Sequence, residues 1–184
     1  MAHRRKISIG GTVRQQTRKE RIGIDIGRVI CETDTDASDG SRITTEIPRA
    51  AEVICRLSVE RFGPENIFLI SKCGPKRQIK TQEWLAKSEF MVRAGLRFNP
   101  YNVAFCIDRK DKAKMAEELR LTHFIDDRYE VLGHMVKVVK TLIAFNPRPE
   151  EKTEIQRRIP HLQHIFDLAR VAVDWNEVEG ILLG

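Results

Sequence analysis

Apolar residues along this chain come in short blocks that stop at polar residues. Arg21-Ile22-Gly23-Ile24, Ile67-Phe68-Leu69-Ile70, Val103 to Ile107, Thr122-His123-Phe124-Ile125 and Thr141 to Phe145 are rich in β-branched and aromatic side chains. Short runs that do not alternate with polar residues read as strands buried on both faces, as in a parallel sheet. The first strand is expected from about Arg21 to Ile26, with Val29-Ile30-Cys31 extending it past a turn at Gly27-Arg28. Helical periodicity fills the gaps. Ala50 to Phe62, after Pro48, places Val53, Ile54, Leu57 and Val59 on one face, and Gly63-Pro64 stops it. A second helix is expected over about Lys76 to Phe90, with Ile79, Trp84 and Leu85 inward, after a turn at Gly74-Pro75. Asn99-Pro100 breaks the chain before the third strand. Further helices are read at Lys112 to Leu119 and Val131 to Val138, with one or two more after Pro147 and Pro149. Strands alternating with helices predict an α/β, Rossmann-like three-layer sandwich: a five-stranded parallel sheet with helices on both faces.

Charge refines the domain picture. A length of 184 residues suits one domain with a full core. Residues 1–21 carry seven Lys or Arg and one acid, so this segment alone accounts for the net charge of +6. The reading is a flexible basic tail over 1–20 and a nearly charge-balanced domain over 21–184. The high pI therefore does not by itself call for nucleic acid. No apolar stretch has the length of a membrane span or the form of a secretory signal, which gives the expectation of a cytoplasmic protein. An organelle transit peptide is the weaker reading, because the tail is short and poor in Ser. Cys31, Cys55, Cys73 and Cys106 show no metal-ligand spacing and read as reduced core cysteines. The acids between Glu32 and Gly40 miss the spacing of a calcium loop and read as a solvated loop or hairpin flap.

The ends of the apolar blocks carry the candidate chemistry. The first ends in Asp25, the second in Ser71 and the fourth in Asp126-Asp127, while Lys112 opens a helix. Parallel strands deliver such residues to the carboxyl edge of the sheet, where ligands bind in open α/β folds. Each residue alone has a plainer account: Asp25 as a turn residue, Ser71 or the acid pair as helix caps. Two adjacent carboxylates behind a buried strand repel each other unless a cation is near, which favours a metal site. A receiver domain of a response regulator also pairs acids, but after its first strand.

This order of Asp25, Ser71, Lys112 and Asp126-Asp127 resembles the haloacid dehalogenase superfamily of phosphohydrolases, over about Arg21 to Phe145. The resemblance implies that Asp25 is a nucleophile forming an aspartyl-phosphate. It implies that Asp126 and Asp127 hold Mg²⁺ together with the Asp25 carboxylate and the Gly27 carbonyl. Ser71 would donate a hydrogen bond to the phosphoryl group, and Lys112, or alternatively Lys110, would neutralise its charge. One position departs from the pattern. Phosphatases of this kind carry a general-acid Asp two residues after the nucleophile, where this chain has Gly27. Loss of a general acid costs about 10²–10⁴ in rate. Two readings follow: a Mg²⁺-dependent phosphatase, or a catalytically weak or inactive phosphate-binding or interaction module of the same fold. Only 45 residues separate Asp25 from Ser71, so no large cap domain fits. Resemblance to capless members implies an open crevice that takes a small or bulkier phosphorylated substrate, or borrows a neighbouring subunit as a lid in a homo-oligomer. Bases cluster around the predicted crevice, among them Arg28, Lys76, Arg77, Arg109 and Arg128. Nucleic acid binding through the tail is not favoured, and no membrane partner is expected.

Overall fold

The computed structural model describes residues 19–34, 43–96 and 102–184. The expected flexible tail up to residue 18, the middle of the acidic loop at 35–42 and the Asn99-Pro100 break lie outside the described residues. The main sheet has six parallel strands: β1 (Ile22–Ile24), β4 (Ile67–Lys72), β5 (Val103–Cys106), β6 (His123–Asp126), β7 (Thr141–Phe145) and β8 (Arg170–Ala172). Their order is β5-β4-β1-β6-β7-β8. Strands β2 (Cys31–Asp34) and β3 (Ile43–Glu46) form a separate antiparallel hairpin after β1.

Two apolar clusters sandwich the sheet, which is why its strands read as unbroken apolar runs. On one face Ile22, Ile24, Ile67, Leu69, Ile125 and Ile143 meet α1 (Ala50–Leu57), α3 (Phe90–Arg93) and α8 (Trp175–Leu183), with Leu85 of α2 (Pro75–Lys87). On the other, Phe68, Ile70, Phe124, Leu142 and Ala144 meet α4 (Asp111–Glu118), α5 (Tyr129–Met135), α6 (Pro149–Arg158) and α7 (Ile165–Leu168). Gly23 sits between the two isoleucines of β1 on the face that Phe124 covers. A Cβ there would lie 2.5 Å from the Phe124 ring and 2.7 Å from Leu121, so glycine is what lets the two strands stack.

The Rossmann-like sandwich is as expected, with four differences in detail. The sheet has six strands instead of five. The extra strand, β8, lies where only helices were read; it is three residues long at an open edge, with Arg170 and Val171 exposed, so it lacks the apolar run of a central strand. Val29-Ile30-Cys31 does not extend β1. The chain turns at Arg28 to Ile30, where Ile30 N–H and Cys31 N–H both donate to the Ile26 carbonyl, and Cys31 starts the hairpin. Val59 is exposed, because α1 continues as a π-helical turn over Ser58–Phe62 whose wider winding brings Phe62 inward in its place. Ile79 is exposed too: of all α2 only Leu85 is buried, so the first half of that helix stands off the sheet.

Candidate active site

Strand β1 lies between β4 and β6. The chain builds outward from β1 to β4 and β5 on one side, then crosses to β6 on the other. Open α/β sheets bind their ligands where the strand order reverses in this way. Asp25 follows β1 and is fixed in the ladder by its N–H to the Ile125 carbonyl at 2.9 Å. Asp126 ends β6 and Asp127 follows it. The crossover therefore brings these three acids together: one carboxylate or carboxyl oxygen from each lies within 4.8 Å of the others.

Lys112, in the first turn of α4, reaches into this group. Its Nζ is 2.6 Å from Asp25 Oδ1 and 2.7 Å from Asp126 Oδ2. It is 2% exposed and Asp126 is fully buried. Burial works against the Lys112 ammonium, yet the charges of Asp126 and Asp25 outweigh it and hold its pKa above the usual lysine value. Burial raises the pKa of Asp126, Lys112 opposes that, and the neighbouring charges of Asp25 and Asp127 add to it. Asp127 is raised by burial and by Asp25, against Arg128 and Arg28. The lysine is thus firmly cationic, and the acids around it crowd one another.

The surrounding chain holds the acids in place. Asp126 Oδ1 accepts from the Arg128 N–H at 3.0 Å, closing the turn after β6. Buried Glu151 of α6 accepts from the Glu130 N–H at 3.3 Å and so caps α5, the helix that starts beside the acid pair. Trp175 Nε1 donates to the Val29 carbonyl at 2.8 Å, pinning the turn after β1 from α8. Neither Glu151 nor Trp175 stands out in the sequence. Each lies beyond the last motif, and nothing in the local pattern says which distant backbone group it will meet.

The other residues singled out from the sequence fall as follows. Ser71 is buried near the end of β4. Lys110 is exposed and precedes α4, so Lys112, and not Lys110, meets the acids. Gly27 is exposed, bridged to Cys31, with open space around its Cα. All four cysteines are free. Burial, aided by Asp25, pushes the Cys31 thiol up to about 12, and burial raises Cys73 and Cys106 as well. These thiols stay protonated, so none of the three is a thiolate.

The donor set fits a divalent cation of the Mg²⁺ type. It is all oxygen, it comes from three carboxylates, and one of its atoms, Asp127 Oδ2, is buried without a hydrogen bond. No helix among the described residues is long and apolar enough to cross a membrane.

No protein-family model and no curated protein matches the sequence. Among solved structures, the chain is similar to the D,D-heptose 1,7-bisphosphate phosphatase from B. bronchiseptica, solved with magnesium and phosphate. The TM-score is 0.57 at 13% identity, over 89% of this chain and 98% of that one. A de novo designed Rossmann 3x3 fold protein overlays with a TM-score of 0.42 at 14% identity, over 89% of this chain and 95% of the other. At this identity what is shared with the phosphatase is architecture: the chain has its Rossmann-like α/β fold.

Proposed function

We propose that the protein is a Mg²⁺-dependent phosphohydrolase working through an aspartyl-phosphate on Asp25. The observation that carries this reading is the buried Lys112 ammonium, held between Asp25 and Asp126 with Asp127 alongside. A phosphoryl group entering such a place meets a nucleophile, a fixed positive charge and an anchor for a cation at once. The heptose bisphosphate phosphatase of the same fold was solved with magnesium and phosphate, the ligands this reading requires.

Asp25, Asp126 and Asp127, with the Gly27 carbonyl, would hold the metal, which when bound supplies charge neutralisation to the phosphoryl oxygens. Lys112 holds Asp25 in orientation through their ion pair. An Asp25 oxygen attacks phosphorus in line with the leaving oxygen; the new P–O bond forms as the bond to the leaving group breaks, and the electron pair departs with that oxygen. Ser71 would donate a hydrogen bond from its hydroxyl to a phosphoryl oxygen. Water then attacks the aspartyl-phosphate, releasing inorganic phosphate and restoring Asp25. At residue 27 there is no side chain to protonate the leaving oxygen, so turnover requires a good leaving group.

Gly27 also favours a second reading, a phosphate-binding module that turns over weakly or not at all. A leaving-group series separates the two. Wild type should hydrolyse an aryl or acyl phosphate far faster than an alkyl phosphate, and Asp25→Asn should abolish both. Gly27→Asp should raise the alkyl rate toward the 10²–10⁴-fold that a general acid contributes, since nothing lies within 4 Å of a Cβ there. Equal wild-type rates on all leaving groups would mean another residue supplies the proton. No hydrolysis of any of them would favour the binding module.

A further inference from the structure

Arg28 has a placement at this site that the proposed reaction does not use. Its backbone is left-handed, with φ 63°, a conformation that L side chains rarely adopt and glycine takes freely. The turn is closed by backbone groups, with the Arg28 N–H donating to the Cys31 carbonyl at 2.7 Å. The turn therefore does not need an arginine side chain. That side chain folds back on the acids, where Nε lies 2.9 Å from Asp127 Oδ2. The contact is ionic only: the N–H is not aimed at the oxygen, and both atoms are buried without a hydrogen bond. Arg128 reaches the same oxygen at 4.0 Å. With Lys112, these arginines bring three positive charges to three carboxylates, so protein groups already balance the cluster.

A divalent cation entering there must share Asp127 with a guanidinium. Taken with the metal reading above, on which it rests, we propose that Arg28 is a positioning residue acting through Asp127. It competes with the cation for Oδ2, and an oxyanion in the crevice relieves that competition by drawing the guanidinium to itself. The Arg28 side chain is 35% exposed, so one side is open to receive the anion, and the planar fork of a guanidinium matches a phosphate. Cation and oxyanion then bind more tightly together than either does alone, and the coupling is reciprocal. An empty crevice holds metal weakly; a crevice with its anion holds it well.

Calorimetric titration of Mg²⁺ into the full chain, with and without inorganic phosphate, tests this. Arg28→Gly removes the guanidinium and relaxes the backbone, so folding is not at risk from strain. It should bind Mg²⁺ about tenfold more tightly than wild type without phosphate, as expected when a unit charge beside a cation is removed. Phosphate should tighten Mg²⁺ binding several-fold in wild type and much less in Arg28→Gly, with Arg28→Lys between the two. Equal or weaker Mg²⁺ binding by Arg28→Gly, or the same phosphate effect in both proteins, overturns the role of Arg28. If Asp126→Asn abolishes binding while Arg28→Gly leaves it unchanged, the metal reading stands and this inference alone falls. No Mg²⁺ binding by any of the proteins removes both.

Discussion

His123 opens strand β6, whose other end carries Asp126, and its surroundings fix its charge state. Arg61 Nη2 lies 3.1 Å from Nε2, and a guanidinium can only donate, so Nε2 accepts and Nδ1 keeps the proton, facing Thr122 Oγ1 at 2.8 Å. The ring is neutral. Burial and the Arg61 charge lower its pKa from 6.5 to about 4, against a smaller pull from Glu20. Because the folded value lies below the unfolded one, the unfolded chain takes up the proton first. The contribution of His123 is complete above about pH 6.5 and is lost as pH falls toward 4. A shift of this size corresponds to about 3 kcal/mol. Urea denaturation of wild type and His123→Gln at pH 7.5, 5.5 and 4.5 checks it: the substitution should flatten the loss of stability across that window, and an unchanged slope would place the acid sensitivity elsewhere. His123 reads from sequence only as part of an apolar run. Asp25 and the acid pair were legible because each sits at the end of a strand with an unbroken apolar run, whereas Lys112 lies in the first turn of a polar helix and was singled out by the resemblance alone. The ion pair between Arg28 and Asp127 was not, since it depends on a left-handed residue that sequence alone does not reveal.

At the scale of elements, β1 and β6 are coupled through the missing side chain of Gly23. Gly23→Ala forces the Phe124 ring and Leu121 to shift, and overpacking of this kind costs about 1–3 kcal/mol. Denaturant titration should show that loss, and Phe124→Leu should recover part of it by opening space, a coupling typical of residues in contact. Additive effects of the two substitutions would mean that the ring does not fill the space above Gly23. The same logic shows which elements could be read in advance. Strands β4, β6 and β7 are buried on both faces, so their residues had to be apolar and their bounds stood out. Strand β8 borders the sheet on one side only, so its composition is that of a loop. The helices were visible by period, but periodicity assumes regular winding and a covered face. The π turn after α1 breaks the first assumption at Val59, and the uncovered start of α2 breaks the second at Ile79.

Across the whole molecule, the proposed metal at the acid cluster would make stability depend on divalent cations. A cation bound only by the folded chain stabilises it by about 2.7 kcal/mol at one hundred times its Kd. For a protein of this length that is about 5–10 °C in Tm. A thermal melt across a Mg²⁺ series should rise by this amount in wild type and by much less in Asp126→Asn; a flat response over a wide series would count against a metal at these acids. The position of β1 in the middle of the sheet has a further consequence, for synthesis. Asp25 meets Asp126 across roughly a hundred residues of chain, which a ribosome adds in about 5–20 s. Until β6 is made, β1 can pair with β4 on one side only, and its other side is an open edge of the kind other nascent chains can pair with. The arrival of β6 shields that edge and delivers the second and third carboxylates in one event, so a fragment ending before residue 126 would lack both the finished sheet and the site.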